Sequence, residues 1–152
     1  MIPRCFQTVG RIDHIVSTTG AARFLLLAKL TDEDFRFSLA NKLMGQINLV
    51  GIGLDYLKQD GSITLTGGIL ARQPMAGSAV ISLVNAGLEG FVRAAALEAP
   101  RGIRINVVSL PWVAETLKEL NMDPSSGKPA VEVAQGYVKS IELQQTGQVI
   151  EI

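Results

Sequence analysis

The run NAGLEGFVRAAALEAPRGIRINVVS, Asn85 to Ser109, constrains the fold more than any other stretch of the chain. Its first part is an almost uncharged helix that stops at Pro100 and Gly102. Its second part, IRINVVSL, is a short apolar strand reached after only a tight turn. A long helix that feeds a buried strand this directly belongs to a β-α-β unit, and such units build parallel sheets.

The rest of the chain keeps the same rhythm. RIDHIVSTTG carries a short apolar run, Ile12 to Val16, and closes at Gly20, which reads as a strand and a turn. LTDEDFRFSLANKLMGQINLVGIGLDYLKQDG holds the longest helical signal. Thr31 or Asp32 can cap it, acids fill its first turn, and Gly61 lies past its end. Phe35, Leu39, Leu43, Ile47, Val50 and Leu54 form its apolar stripe. SITLTGG reads as a buried strand closed by two glycines. A second long helix spans Gly77 to Ala99, with Glu89 and Arg93 spaced as a surface ion pair. Trp112 to Leu120 reads as a short helix, NMDPSSGKP as a loop, Val131 to Ile141 as a helix and GQVIEI as a last strand.

The order β-α-β-α-β-α-β predicts one α/β domain over residues 1–152, a partial Rossmann-like fold. It has a four-stranded, mainly parallel sheet with two long helices, near 34–58 and 77–99, on one face. Ligands on such sheets sit beyond the carboxyl ends of the strands. Here those ends are Ser17 to Gly20, Thr66 to Gly68 and Ser109 to Trp112.

Composition removes several function classes. The 14 basic and 14 acidic residues cancel without a basic cluster, so neither nucleic acid nor an anionic membrane is an expected partner. Cys5 and His14 are the sole cysteine and histidine, which excludes an internal disulfide and any multi-histidine metal site. The uncharged stretches Leu43 to Leu54 and Gln73 to Leu88 fall short of the ~18–20 apolar residues of a membrane span. No signal peptide is read at the start, so a cytoplasmic location is expected.

Four segments together resemble the second half of a short-chain dehydrogenase/reductase. GRIDHIVSTTG looks like that family's G-x-x-D-x-L-V-N-N-A-G, and GSITLTGG looks like its G-S-I-V-N-x-S-S. NAGLEGFVRAAALEAPRGIRINVVS is similar to K-A-G-L-x-G-F-x-R-x-L-A-x-E-x-A-P-x-G-I-R-V-N-x-V-S-P-G, and TGQVIEI looks like its final strand. The resemblance implies an NAD(P)-dependent oxidoreductase, here as a divergent, N-terminally truncated member. It places family cofactor positions at Gly20, Gly67 and Ser109.

Two parts of the family pattern are missing. The family's first strand and T-G-x-x-x-G-x-G loop set backbone amides against the cofactor pyrophosphate, and nothing before Arg11 matches them. No cofactor is therefore expected on the isolated chain. The family's catalytic set is a serine with Y-x-x-x-K on a helix; the tyrosine moves a proton and the lysine lowers its pKa. The same alignment places Gly68, Ile81 and Asn85 at these positions.

Divergent relatives that also lack Y-x-x-x-K carry K-L-M-G-Q on the earlier helix, and Lys42 stands in that pattern here. Lys42 is thus a candidate acid–base or anion-binding group; its bland alternative is a lysine with a packed stem and a solvated amine. Arg72 is either a substrate-anion ligand or a solvated arginine. Trp112 is either a pocket wall or an apolar lid. His14 and Cys5 read as structural, and Tyr56 and Tyr137 sit near helix ends, away from the lost tyrosine's place.

Two function classes follow. In the first, the chain is an inactive oxidoreductase-like module kept for oligomerisation, a dimer or tetramer through the two long helices and strand 13–18, which loses its neighbour and becomes an edge. Gly45, Gly51, Gly53, Gly87 and Gly90 would allow close packing, or residues Ile2 to Phe6 would cover the edge. In the second, it is an enzyme or small-molecule binder using Lys42, Arg72 and Trp112, with the missing half supplied by another chain.

Overall fold

A computed structural model describes Thr8 and residues 10–152. The sheet has four strands, β1 (Ile12–Val16), β2 (Leu57–Thr66), β3 (Arg104–Ser109) and β4 (Val149–Glu151), all parallel and in the order β1-β2-β3-β4. The helices are α1 (Asp32–Ser38), α2 (Gly45–Tyr56), α3 (Ala79–Glu98), α4 (Ala114–Glu119) and α5 (Ala130–Glu142). The expected α/β architecture is present, and the sheet is parallel throughout.

Alternate strand residues explain the layering. Ile63, Leu65, Ile105 and Val107 meet Val50, Leu88 and Val92 of α2 and α3 on one face. Thr64 and Val108 point the other way, to α5. Thr64 and Ser140 share a hydrogen bond at 2.8 Å. A Cβ on Gly136 would lie 2.5 Å from Ile152 and 3.3 Å from Val108, so only glycine lets α5 come this close. Helix α3 is long and apolar enough to cross a bilayer, yet Val80, Val84, Leu88 and Val92 are wholly buried within the domain. It is a core helix.

The first long helix differs from the reading over 34–58. Thr31 and Asp34 form a capping box at its start. The Leu39–Met44 segment between α1 and α2 is a π-helix, with the Gly45 N–H reaching the Ala40 carbonyl. The helix ends at Tyr56, and β2 begins at once at Leu57 rather than at Ser62. Five steps of β2, Leu57 to Ser62, stand against two steps of β1, Ile12 to His14. The excess is taken up where Asp60 adopts φ 60° and Gly61 passes so close to the Asp13 carbonyl that a Cβ would sit 2.7 Å from it.

Among the described residues β1 is an edge, as expected. It is not bare of protective devices. The β1–β2 irregularity lies on it, and Lys58 binds both oxygens of Asp13 at 2.8 and 3.0 Å. That bond holds the Asp13 carboxyl below its ordinary pKa. The Ile2 to Phe6 cover lies outside the described residues, as does Cys5.

Glu89 also departs from expectation. It is 5% exposed, and its Oε2 is shared by Arg72 and Arg93, each at 3.2 Å. The i, i+4 pair with Arg93 is real, but its acid is a buried residue.

Candidate functional site

Three stretches converge beyond the carboxyl ends of β2 and β3: the π-helical turn, the Gly67–Leu70 segment, and the Leu110–Val113 segment. Between them lies a cleft of about 240 Å³, lined by Lys42, Gly68, Ile81, Asn85, Leu110 and Trp112 among others. The fold therefore brings Gly68, Ile81 and Asn85 to one place, and adds Lys42 to them.

The π-helical turn sets Lys42. It widens the helix, and the Gln46 side chain donates to the Lys42 carbonyl at 3.3 Å. Gln46 also grips β2, accepting from the Thr66 N–H at 2.8 Å and donating to the Thr66 carbonyl at 2.9 Å. The turn that carries Lys42 is thereby fastened to the strand end. On its other side Gly20 runs so close that a Cβ would lie 2.8 Å from the Lys42 Cα, and its φ of 116° also demands glycine. Gly20 is thus backing for Lys42.

The Lys42 amine makes no hydrogen bond or ion pair with any described residue; the Gln46 bond goes to the Lys42 carbonyl. Burial alone pushes its pKa below the ordinary lysine value, because the charged amine has lost water and gained no carboxylate. Asn85 is 2% exposed, and its Oδ1 has no hydrogen-bond partner. Its Nδ2 faces Gly68, where a Cβ would come within 3.0 Å. The cleft thus offers one donor-rich amine on largely apolar walls, with the buried Asn85 side chain beside it. An unpaired buried acceptor costs free energy unless a ligand or water meets it.

The segment after β1 reaches the cleft wall at Trp112. The Arg23 N–H donates to Ser38 Oγ at 3.0 Å, and the Leu25 N–H donates to the Gly77 carbonyl at 3.0 Å. Phe24 then meets Trp112 edge to face, with ring centroids 6.4 Å apart. Phe24, Leu25, Leu26 and Leu27 are all exposed. Sequence reasoning passed over this run, although four consecutive apolar residues in a loop were its signal.

Arg72 is not at the cleft. It is engaged by Glu89 and Glu151, and it lines a separate crevice of about 60 Å³ with Ser109. Of the other cofactor positions, Gly67 lines the Lys42 cleft and packs against Val107. Gly20, Gly67 and Ser109 therefore do not surround one pocket. His14 bonds Ser62 Oγ at 2.9 Å, a structural role. Tyr137, on the opposite face, shares a 2.7 Å hydrogen bond with Thr66 Oγ1, and burial raises its pKa. No group of histidine, cysteine, aspartate and glutamate suited to a metal occurs among the described residues.

This is the architecture of a Rossmann-like oxidoreductase, with its cleft at the strand ends. The chain belongs to the short-chain dehydrogenase/reductase family. A family model described as Enoyl-(Acyl carrier protein) reductase matches residues 1–151. Carbonyl reductase family member 4 of Danio rerio is 30% identical over 166 residues, covering 98% of this chain and 69% of that protein. The 3-oxoacyl-(acyl-carrier-protein) reductase of Bos taurus is 32% identical over 119 residues, covering 76% of this chain. This chain spans about half of that relative's length, 50%. Among solved structures, the protein lin1944 from Listeria innocua matches with a TM-score of 0.91 and 39% identity, over 99% of this chain and 76% of that one. A small-chain dehydrogenase in complex with NADPH matches with a TM-score of 0.83 and 27% identity, over 98% and 75%.

The family implies a dinucleotide, and the described residues fit it poorly. A pyrophosphate needs free backbone amides at a glycine-rich turn before a helix. The Gly67 N–H is spent on Val108 and the Ile69 N–H on Leu110, while Gly20 is pressed against Lys42. Among the described residues, β1 has no neighbour on the side where the family's first strand would lie.

Proposed function

We propose that this chain is an oxidoreductase-family domain whose cleft takes a small molecule with a carbonyl or hydroxyl group on an apolar body. One observation carries the reading: an unpaired, half-buried lysine stands in a largely apolar cleft beside the buried side chain of Asn85. The Lys42 amine can donate to a carbonyl oxygen. A lysine amine bonds a carbonyl or a hydroxyl oxygen alike, so it suits both members of a ketone–alcohol couple. Ile69, Leu70, Ile81 and Leu110 suit an apolar arm. The names of the carbonyl and 3-oxoacyl reductases among the relatives support the same ligand class.

On this reading Ile81 cannot carry the proton that the family's tyrosine carries, and the lysine duty moves from Asn85 to Lys42. The isolated chain is expected to show no NAD(P)H-dependent reduction of ketones. The test is a titration of benzylacetone and its alcohol followed by the fluorescence of Trp112, the sole tryptophan. A saturable change that disappears in Lys42→Met supports the reading. A flat response from both ligands overturns it.

A second reading, the oligomerising module, is favoured by the solvent side of α2 and α3. Ile52, Leu83 and Leu97 are exposed there, and nothing lies within 4 Å above Gly51 and Gly90. An apolar groove of about 270 Å³ runs between the two helices past Ile47, Leu54 and Phe91. We propose this face, together with the β1 edge, as a self-association surface. The two readings use opposite parts of the molecule and are compatible.

A further inference from the structure

We propose that Lys42 is a nucleophile that captures aldehydes and ketones in the cleft as an imine, an activity that needs no dinucleotide. The inference rests on the cleft being a carbonyl site and goes beyond it to covalent chemistry.

The geometry supplies what imine formation needs. The amine must be unprotonated, and no described carboxylate pairs with Lys42 to hold the proton on it. Burial favours the neutral form further. The walls are largely apolar, which disfavours the ammonium. The turn carrying Lys42 is fixed on two sides, by Gln46 on Thr66 and by the close pass of Gly20. Asn85, 2% exposed, adds a polar side chain to the lining beside Lys42.

The step balances without a co-reactant. The Lys42 Nζ lone pair attacks the carbonyl carbon, and the C–N bond forms while the carbonyl π pair moves to oxygen. A proton passes from nitrogen to that oxygen and gives a carbinolamine. The C–O bond then breaks, water leaves with the second nitrogen proton, and a neutral imine remains. Neither carbon nor nitrogen changes oxidation state, so no hydride donor is involved. The other lysines, Lys29, Lys58, Lys118, Lys128 and Lys139, do not line the cleft.

The test uses the full chain, benzylacetone as probe, and borohydride to reduce any imine to a stable secondary amine. Intact mass and peptide mapping then report the adduct. The expected result is a single adduct confined to Lys42. It is lost in Lys42→Arg, a variant whose fold is checked by circular dichroism. Saturation-transfer NMR on the same mixture reports binding independently. Binding with no adduct on Lys42, or with adduct spread evenly over all lysines, overturns the imine and leaves the carbonyl cleft standing. No binding at all overturns both.

Discussion

Gln46 holds Thr66 at two points, accepting from its N–H at 2.8 Å and donating to its carbonyl at 2.9 Å. A glutamine amide here completes the hydrogen bonding of a strand end that has no further strand residue to meet. Gln46 is 1% exposed, so its removal leaves buried backbone groups without partners. Gln46→Ala is expected to cost about 2–4 kcal/mol in urea unfolding, the desolvation cost of the stranded groups. Gln46→Glu is expected to lose part of that, because a carboxylate cannot donate to the carbonyl.

Lys42 couples stability to pH. Its folded pKa lies below the ordinary lysine value because of burial. Between that folded value and the unfolded value of ~10.4, the unfolded chain binds a proton that the folded chain has released. Stability contributed by this group therefore rises with pH across that window and is lost as pH falls through the folded pKa. Lys42→Met is expected to be more stable than the parent at neutral pH, with the difference shrinking as pH approaches the unfolded value. Chemical unfolding at a series of pH values measures it. A pH-independent difference would show that Lys42 is solvated.

On α3 an exposed apolar position and a core position are adjacent, which lets the proposed self-association face be tested apart from folding. Leu83 is 48% exposed, whereas Val84 is wholly buried. Leu83→Asp is expected to dissociate an oligomer in light scattering while changing the stability of the single chain by less than about 1 kcal/mol. Val84→Asp, or an aspartate at the equally buried Leu88, is expected to cost more than about 4 kcal/mol and to test only folding.

The β1 edge has a directional test. The Ser17 N–H donates to the Thr64 carbonyl at 2.9 Å. A parallel ladder bonds alternate residues to a given neighbour, so the amides of His14 and Val16 face the open side. If two copies pair there, Val16 exchanges slowly in the assembled protein and Val16→Pro weakens assembly. Fast exchange at Val16 beside slow exchange at Ile15 would show an open edge.

Periodicity made the sheet and its covering helices legible, because alternating strands and apolar helix stripes reflect burial directly. It missed the start of β2, since LKQDG is as polar as a helix tail. There the chain turns into a strand at Leu57 without a loop, and the bulge at Asp60 and Gly61 depends on the neighbouring Asp13. The site was legible at Lys42, Gly68, Ile81 and Asn85 through the family pattern. Gln46 was overlooked, although its sequence signal was present. It falls between Leu43 and Val50 on the apolar stripe, where a polar side chain must find buried partners. Arg72 misled because its two acids, Glu89 and Glu151, are distant in sequence.

The central claim is that the cleft between Lys42 and Asn85 is the ligand site. It is tested most directly by recording amide and methyl NMR spectra of the chain while benzylacetone is added. The account predicts saturable shifts at the Asn85 side-chain amide, the Gly68 N–H and the Ile81 methyls, all abolished by Lys42→Met. Shifts confined to Ile47, Leu54 and Phe91 in the helix groove, or no shifts anywhere, would contradict it.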